Sequence, residues 1–165
     1  MYETHDSPEA GSLSLRKASP KDADVVRQIA LSSGIDSWTA DQYREEASRG
    51  DAVFVVAHIG PEIIGFVSGR IVPSSVEGTD GEIYNIAVTQ GSRGKRIGHE
   101  LLENAIQNFI DSGCNGVWLE VRESNQNAIR FYENNGFRRV TMRRNFYSSP
   151  VENAIVMKLT LVSDS

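Results

Sequence analysis

A basic loop that contains two glycines is the first candidate site for chemistry. It reads Arg93-Gly94-Lys95-Arg96-Ile97-Gly98 and lies directly before an amphipathic helical segment. Backbone N–H groups at the start of a helix point outward with the positive end of its dipole, so a diphosphate can bind there with little help from side chains. The loop lacks the lysine and hydroxyl residue that follow the second glycine of a P-loop. On this pattern alone, an anion site and an ordinary solvated turn both stay open.

The elements around the basic loop follow an α/β order. Apolar periodicity predicts strands at 13–16, 52–58, 63–72, 83–88, 117–121, 139–147 and 154–161. The first of four predicted helices has Ser19 as its cap and Pro20 at its first position, and the second begins with a capping box of Thr39 and Gln42. The other two helices are predicted at 97–109 and 125–135.

The connections between these elements predict where a ligand binds. A strand-helix-strand-helix stretch at the centre of the chain favours one parallel pair within a mixed sheet. Ligands of such sheets bind beyond the carboxyl ends of the strands, where the basic loop lies. We expect the polar stretch 73–81 to lie outside the core, the ordered domain to cover 13–165, and the polar residues 1–12 to form a flexible tail.

The composition narrows the classes of function. A chain of 165 residues with 39% hydrophobic content suits one domain. Its net charge of −5 disfavours nucleic-acid binding and is compatible with a cationic substrate. The apolar runs are too short to span a bilayer and the N-terminus is polar, so we expect a cytoplasmic protein without a membrane partner. Three scattered histidines and a lone Cys114, expected as a small buried residue, predict no metal.

Two segments together resemble the GNAT (Gcn5-related N-acetyltransferase) superfamily. The basic loop is similar to the acetyl-CoA motif R/Q-x-x-G-x-G/A, and residues 120–137 resemble the second signature of the family. The resemblance extends over about 13–161 and is specific from Glu82 onward. Segments 119–122, 143–147 and 152–154 are most similar to the bacterial ribosomal-protein alanine N-acetyltransferases, which acetylate the N-terminal alanine of a small-subunit ribosomal protein.

The resemblance implies a fold and a cosubstrate. The expected GNAT fold has a single mixed, mostly antiparallel sheet of about seven strands, with a parallel pair at the cofactor site and about four flanking helices. Acetyl-CoA is the expected cosubstrate, with no metal. By the same resemblance, the pantetheine amides of the cofactor pair with the backbone of Ile86, Ala87 and Val88 in the fourth strand. The pyrophosphate contacts the basic loop, and Asn125 contacts the cofactor further along. The residues of the loop are Arg93, Gly94, Lys95, Arg96, Ile97 and Gly98. A core strand at 86–88 and a helix N-cap at Asn125 are compatible alternatives.

The basic loop departs from the family motif at Arg96, where a glycine is expected. If this position requires a positive φ, an arginine there is strained by about 1–3 kcal/mol. We expect ordinary helix-start geometry instead, with the guanidinium adding a phosphate contact.

The resemblance assigns Glu120 as the general base and Tyr132 as the general acid. A carboxylate can take the proton from an N-terminal amine, whose pKa is about 8. Because Glu120 lies in an apolar strand, we expect burial to raise its pKa. The alternative for Glu120 is an ordinary glutamate on a polar strand face, and the alternative for Tyr132 is a structural aromatic residue. Glu82 is a rival base, since it begins the strand where the histone-acetylating branch places that group.

Several aromatic residues are candidates for the substrate groove. Trp38, Phe146 and Tyr147 resemble residues that border the peptide groove of N-terminal acetyltransferases, although packing aromatics are an equal alternative. Together with Glu82 they form the predicted substrate site. The predicted activity is acetylation of a protein N-terminus, with a small-molecule amine (antibiotic, polyamine or amino acid) or a non-catalytic acyl-CoA-binding module as alternatives. Oligomeric state does not follow from the sequence.

Overall fold

The fold, seen in a computed structural model that describes residues 11–161, is a seven-stranded sheet with helices on both faces. The strand order is β1-β2-β3-β4-β5-β7-β6, and only β4 and β5 run parallel. The strands are β1 Leu13–Lys17, β2 Ala52–Ile59, β3 Glu62–Pro73, β4 Thr79–Val88, β5 Gly116–Arg122, β6 Arg138–Ser148 and β7 Val151–Thr160. The α-helices are α1 Ala23–Ser32, α2 Ala40–Ala47, α3 Ile97–Asp111 and α4 Gln126–Asn134.

This architecture confirms the predicted mixed sheet, its parallel pair and its four helices. The expected tail at 1–12 lies outside the described residues apart from Gly11 and Ser12. Cys114 is buried, as predicted, with the Thr79 hydroxyl 3.7 Å from its sulfur.

The sheet separates two apolar clusters. One contains the inward face of α3 and the odd-numbered residues of β5, and its members are Ile97, Leu101, Leu102, Ala105, Phe109, Val117, Leu119 and Val121 with their neighbours. The other joins α1 and α2 to β2, β3 and β4 and includes Val26, Ile29, Tyr43, Phe54, Val56, Phe66 and Ala87. Full burial of each large aliphatic side chain contributes about 1.5–3 kcal/mol, so these clusters hold both helical layers on the sheet.

The helix starts follow their capping residues with one difference. The Gln42 backbone N–H donates to Thr39 Oγ1 at 3.2 Å, and the Thr39 N–H donates to Gln42 Oε1 at 2.8 Å, which confirms the capping box. Pro20 instead begins a short 3₁₀ turn, and α1 starts only at Ala23. The Asp22 carboxylate caps the start of that turn, because it accepts from the Ser19 N–H at 2.7 Å.

β4 begins earlier than predicted, at Thr79 rather than Ile83. The expectation that the polar stretch 73–81 lies outside the core is wrong for Asp80 and Gly81, which are buried. Asp80 is satisfied there because the Trp118 Nε1–H donates to its carboxylate at 3.0 Å. Gly81 leaves space for Phe109, since a Cβ at this glycine would lie 2.6 Å from the Phe109 ring.

We predict that Gly81→Ala destabilises the protein by about 1–3 kcal/mol, because the added methyl group must displace the buried Phe109 ring. Urea denaturation of the two proteins measures the difference. Gly50→Ala is the matched control, since a Cβ there meets nothing within 4 Å. Equal stability of the two variants would contradict the packing argument.

Candidate active site

The parallel strands β4 and β5 part in the middle of the sheet. They pair only from Gly81 to Ile83, whereas β3 continues to pair with β4 up to Val88. The backbone of Ile86, Ala87 and Val88 therefore has β3 on one side and no β5 partner on the other among the described residues. Such a free strand edge can bind an extended ligand through its amide groups.

A β-bulge at Tyr84 marks the point where the strands part. Ser68 of β3 pairs with Asn85 and Gly69 pairs with Ile83, so Tyr84 is an extra residue in β4. The bulge reverses the alternation of faces, because Ile83 packs in the α3 cluster while Ala87 packs in the α1–α2 cluster. A bulge also bends its strand, which explains why β4 turns away from β5 here.

The basic loop folds back on itself before α3. Gly94 has φ +80° and Arg96, the N-cap of α3, has φ +62° and ψ +17°. The expectation of ordinary helix-start geometry at Arg96 is therefore wrong. At the position where the family motif has a glycine, this chain adopts a left-handed backbone with an arginine. Left-handed residues in such loops are typical of backbone nests that bind anions.

The basic loop, the end of β4 and α4 enclose a pocket of about 470 Å³. Most of the predicted cofactor residues line it, together with side chains of α4: Val88, Arg93, Gly94, Arg96, Ile97, Gly98, Phe131, Asn134 and Asn135. Ile86, Ala87, Lys95 and Asn125 are not in this lining. The position and size of the pocket suit the phosphate end of a ligand whose other end lies along β4.

Two predicted cofactor residues have local structural roles. Arg93 Nε donates to the Val88 carbonyl at 3.1 Å and its Nη2 donates to Ser33 Oγ at 3.2 Å, so this side chain fixes the loop against β4 and α1. Asn125 Oδ1 accepts from the Ala128 N–H at 3.1 Å and caps α4. The capping alternative for Asn125 is confirmed, and its contact with a cofactor stays a prediction.

Glu120 lies beside the split on the polar face of β5. Val117, Leu119 and Val121 point into the α3 cluster, and Glu120 points to the opposite face. Its side chain is 31% exposed, and Oε1 lies 3.0 Å from Arg143 Nη1. The expected burial in an apolar environment is wrong, because strand alternation places this carboxylate next to a cation and within reach of water.

Tyr132 is buried in α4, near the same region. Its ring lies 5.3 Å from that of Phe131 and 5.6 Å from that of Phe137. Burial raises the pKa of Tyr132 well above its ordinary value, and the nearby phenol of Tyr147 raises it further. Tyr132 therefore keeps its proton at neutral pH and can act as a hydrogen-bond donor.

Tyr147 lies close to both predicted catalytic residues. Burial raises the pKa of Tyr147, and the Glu120 carboxylate raises it further. Its ring is also held by the Arg122 guanidinium, whose central carbon is 4.2 Å from the ring centre. The Glu120 carboxylate and the Tyr132 phenol therefore both lie within electrostatic range of Tyr147. Phe146 is 44% exposed beside Arg143, on the outer side of this group.

Tyr84, which sequence analysis missed, contacts both Glu82 and Trp38. The Tyr84 hydroxyl donates to Glu82 Oε2 at 3.0 Å, and the Tyr84 ring centre lies 5.7 Å from that of Trp38. Burial raises the pKa of Tyr84 to about 12, and the Glu82 charge contributes to this increase. Arg27 donates to the carbonyl of Trp38 and fixes the loop that carries it. The i, i+2 spacing of Glu82 and Tyr84 could have indicated a shared strand face.

The geometry defines a class of protein. A ligand with amide groups can lie along the free edge of β4 with its anionic end at the basic loop, while an amine approaches a carboxylate and a buried phenol. This arrangement suits transfer of an acyl group from coenzyme A.

The chain belongs to the acetyltransferase (GNAT) family, whose family model matches residues 23–137. Acetyl-CoA is the acyl donor of this family. Within residues 11–161, no group of three or more His, Cys, Asp or Glu side chains could hold a metal ion. No helix in the same range is long and apolar enough to cross a membrane.

Relatives and solved structures agree with this assignment. The [ribosomal protein bS18]-alanine N-acetyltransferase of Escherichia coli strain K12 is 41% identical over 81 residues, which cover 48% of this chain and 55% of the relative. That match spans about half the length of the curated relative. An N-alpha-acetyltransferase of Sulfolobus acidocaldarius is 29% identical over 171 residues, with 98% of this chain and 100% of the relative covered. The crystal structure of Ard1 from Thermoplasma volcanium superposes with a TM-score of 0.80 at 28% identity, and covers 92% of this chain and 99% of that one.

We predict that Arg96→Gly stabilises the ligand-free protein by up to about 1 kcal/mol. A left-handed backbone costs a residue with a side chain about 1–2 kcal/mol, and glycine removes this strain. Glycine also makes the unfolded chain more flexible, which offsets about 0.4–1 kcal/mol of the stabilisation. The melting temperature should rise by up to about 2–4 °C.

Lys95→Gly is the matched control for this substitution. Lys95 is an exposed neighbour and is not among the residues with positive φ. Glycine there only adds freedom to the unfolded chain, so the variant should lose about 0.4–1 kcal/mol. A loss of stability in both variants would show that the arginine backbone is unstrained.

Proposed function

We propose that this protein transfers an acetyl group from acetyl-CoA to the N-terminal amine of a protein, and that the N-terminal alanine of a small-subunit ribosomal protein is its target. The observation that carries the proposal is the partly exposed face of β5 around Glu120, which we interpret as one wall of an open peptide groove. On this face, α1 and α2 cover β2 to β4, whereas Trp118, Glu120 and Arg122 of β5 stay partly exposed. An open groove admits a chain end, and an enclosed acidic pocket would favour a small cation. The names of the relatives from Escherichia coli and Sulfolobus support the same reaction class.

The free edge of β4 is the proposed site for the acetyl-CoA arm. The backbone groups of Ile86, Ala87 and Val88 would pair with the amides of the ligand as a neighbouring strand does. The N–H groups of residues 93–98, at the start of α3, would hold the pyrophosphate, with Lys95 and Arg96 adding positive charge. Asn125 would contact the ligand further along while it caps α4.

Glu120 is the proposed base. An N-terminal amine is mostly protonated below its pKa of about 8 and cannot attack a carbonyl in that form. A carboxylate at the mouth of the groove accepts the proton directly or through one water molecule. Glu82 is less free for this task, because its Oε2 accepts from the Tyr84 hydroxyl in a partly buried hydrogen bond, whereas the ion pair of Glu120 with Arg143 is open to solvent. We assign Glu82, with Trp38, Phe146 and Tyr147, to the walls that hold the substrate.

Tyr132 is the proposed partner of the leaving thiolate. A thiol has a pKa of about 8.5, and burial holds the pKa of Tyr132 above that of free tyrosine. Complete proton transfer from this phenol to a thiolate is therefore uphill. A hydrogen bond to sulfur as its negative charge develops needs no such transfer and is strong in a dry site.

We predict that Glu120→Gln and Tyr132→Phe each lower kcat about 10²–10⁴-fold with little change in acetyl-CoA affinity. The loss in Glu120→Gln should shrink as pH rises, because more of the amine is then already deprotonated. Tyr132→Phe should show no such recovery. Steady-state kinetics and calorimetry with acetyl-CoA measure the two quantities.

Glu82→Gln is the internal comparison and should have the smaller effect on kcat. If Glu82→Gln abolishes turnover while Glu120→Gln keeps most of it, the base is Glu82 and the assignment of Glu120 is wrong.

Release of CoA with a panel of acceptors tests the substrate class. We expect turnover with peptides that begin with alanine and none with the same peptides blocked at the amine. Spermidine and an aminoglycoside serve as the small-amine arm of the panel. Turnover confined to these small amines would reject a protein N-terminus as the substrate.

A further inference from the structure

Two arginines line the face of the sheet that carries Glu120, and they are held very differently. Arg122 Nη1 donates to the Pro150 carbonyl and to Glu152 Oε2, both at 3.2 Å, and its guanidinium lies over the Tyr147 ring. This arginine is therefore fixed by a carbonyl, a carboxylate and an aromatic ring. Its ionic partner Glu152 is also anchored, because the Ser124 N–H donates to it at 2.6 Å.

Within residues 11–161, the Arg143 guanidinium has two side-chain partners, Glu120 at 3.0 Å and the Phe146 ring at 5.6 Å. Its side chain is 58% exposed, and that of Glu120 is 31% exposed. Ion pairs that reach solvent to this degree are weak, since both charges interact well with water when they separate. The guanidinium can leave Glu120 at little cost, whereas Arg122 cannot leave Glu152 as easily.

The backbone near Arg143 is held by hydrogen bonds, whereas its side chain makes a weak, exposed ion pair. Between Arg143 and Tyr147, β6 contains extra residues relative to β7, and Asn145 takes φ +52°. The Asn145 N–H donates to Asn153 Oδ1 at 3.0 Å. Asn153 Nδ2 in turn donates to Glu123 Oε2 at 3.1 Å. Departure of the guanidinium therefore requires rotation of one side chain and no movement of the hairpin.

The incoming substrate also carries a positive charge. An α-amino group is mostly an ammonium ion at neutral pH and must approach the carboxylate that will take its proton. The Arg143 guanidinium and the substrate ammonium would thus compete for the same Glu120 carboxylate.

We propose that Arg143 is an exchangeable counter-ion of Glu120, which the ammonium group of the substrate displaces and which returns when acetylation has made the product neutral. The proposal rests on the proposed function, since it takes Glu120 as the base. It makes Arg143 a residue that lowers the affinity for the charged substrate and leaves the affinity for the neutral product unchanged.

Arg143→Gln removes the competing cation and tests this exchange. We expect KM for an alanine-initiated peptide to fall about two- to fivefold, in line with the strength of exposed ion pairs. kcat should stay within about twofold, because Arg143 has already left Glu120 in the reacting complex. Arg143→Lys keeps the charge and should restore the wild-type KM. Arg144→Gln loses the same charge from the adjacent exposed residue and should leave KM unchanged.

Binding measurements separate the exchange from a structural role. In calorimetry with CoA present, the free-amine peptide should bind Arg143→Gln more tightly than the wild type, and the same peptide with an acetylated N-terminus should bind both equally. In a Glu120→Gln background, Arg143→Gln should no longer improve the binding of the free-amine peptide, since the shared carboxylate is gone.

Every other result overturns the exchange. A lower kcat at unchanged KM would make Arg143 an orienting residue that stays on Glu120, and a higher KM would make it a ligand of the peptide. A gain in affinity for both peptides would indicate a change in groove shape. If Glu120→Gln itself leaves turnover intact, the proposed base fails, whereas a normal effect of Glu120→Gln with no effect of Arg143→Gln rejects the exchange alone.

Discussion

The parting of β4 from β5 is the constraint on which the rest of the site depends. Tyr84 enters β4 as an extra residue, and Gly69 on the neighbouring strand makes this possible, because a Cβ there would lie 2.5 Å from the Glu82 carbonyl oxygen. The bulge frees the edge of β4 for the proposed ligand, and strand alternation places Tyr84 on the same side as Glu82. In the register of the parallel pair, the residue after Leu119 is Glu120, so the carboxylate lies just where pairing stops. One irregularity thus creates both the free strand edge and the opening beside the proposed base.

Sequence patterns predicted the elements well where burial follows periodicity. The apolar face of α3 and the alternation in β5 specify their own packing, and the capping box at Thr39 is a purely local interaction. The start of β4 was predicted wrongly because Asp80 and Gly81 look like loop residues. Each is buried through one distant partner, Trp118 for Asp80 and Phe109 for Gly81. Partners so far away in sequence cannot be identified from local composition.

Sequence supplied the proposed members of the candidate site, whereas it predicted their environments poorly. The resemblance to a family gave the positions of Glu120, Tyr132 and the basic loop, but no local pattern shows which side chain stands opposite another. The ion pair between Glu120 and Arg143 depends on the register of β5, β7 and β6, which is set by the final hairpin. The backbone of Arg96 depends on how the loop closes onto α3, and residue type argued for the wrong conformation there.

The different environments of Glu120 and Tyr132 suit the different tasks that we propose for them. A base must return its proton to solvent after each cycle, so a carboxylate at the open mouth of the groove, 31% exposed, is regenerated without a relay. A group that stabilises a developing thiolate works best where water cannot weaken its hydrogen bond, and Tyr132 is buried between aromatic rings. Exchanging the two environments would leave a buried base that holds its proton and an exposed phenol whose bond to sulfur competes with water. The alternation of β5 and the apolar face of α4 therefore determine which residue can perform which step.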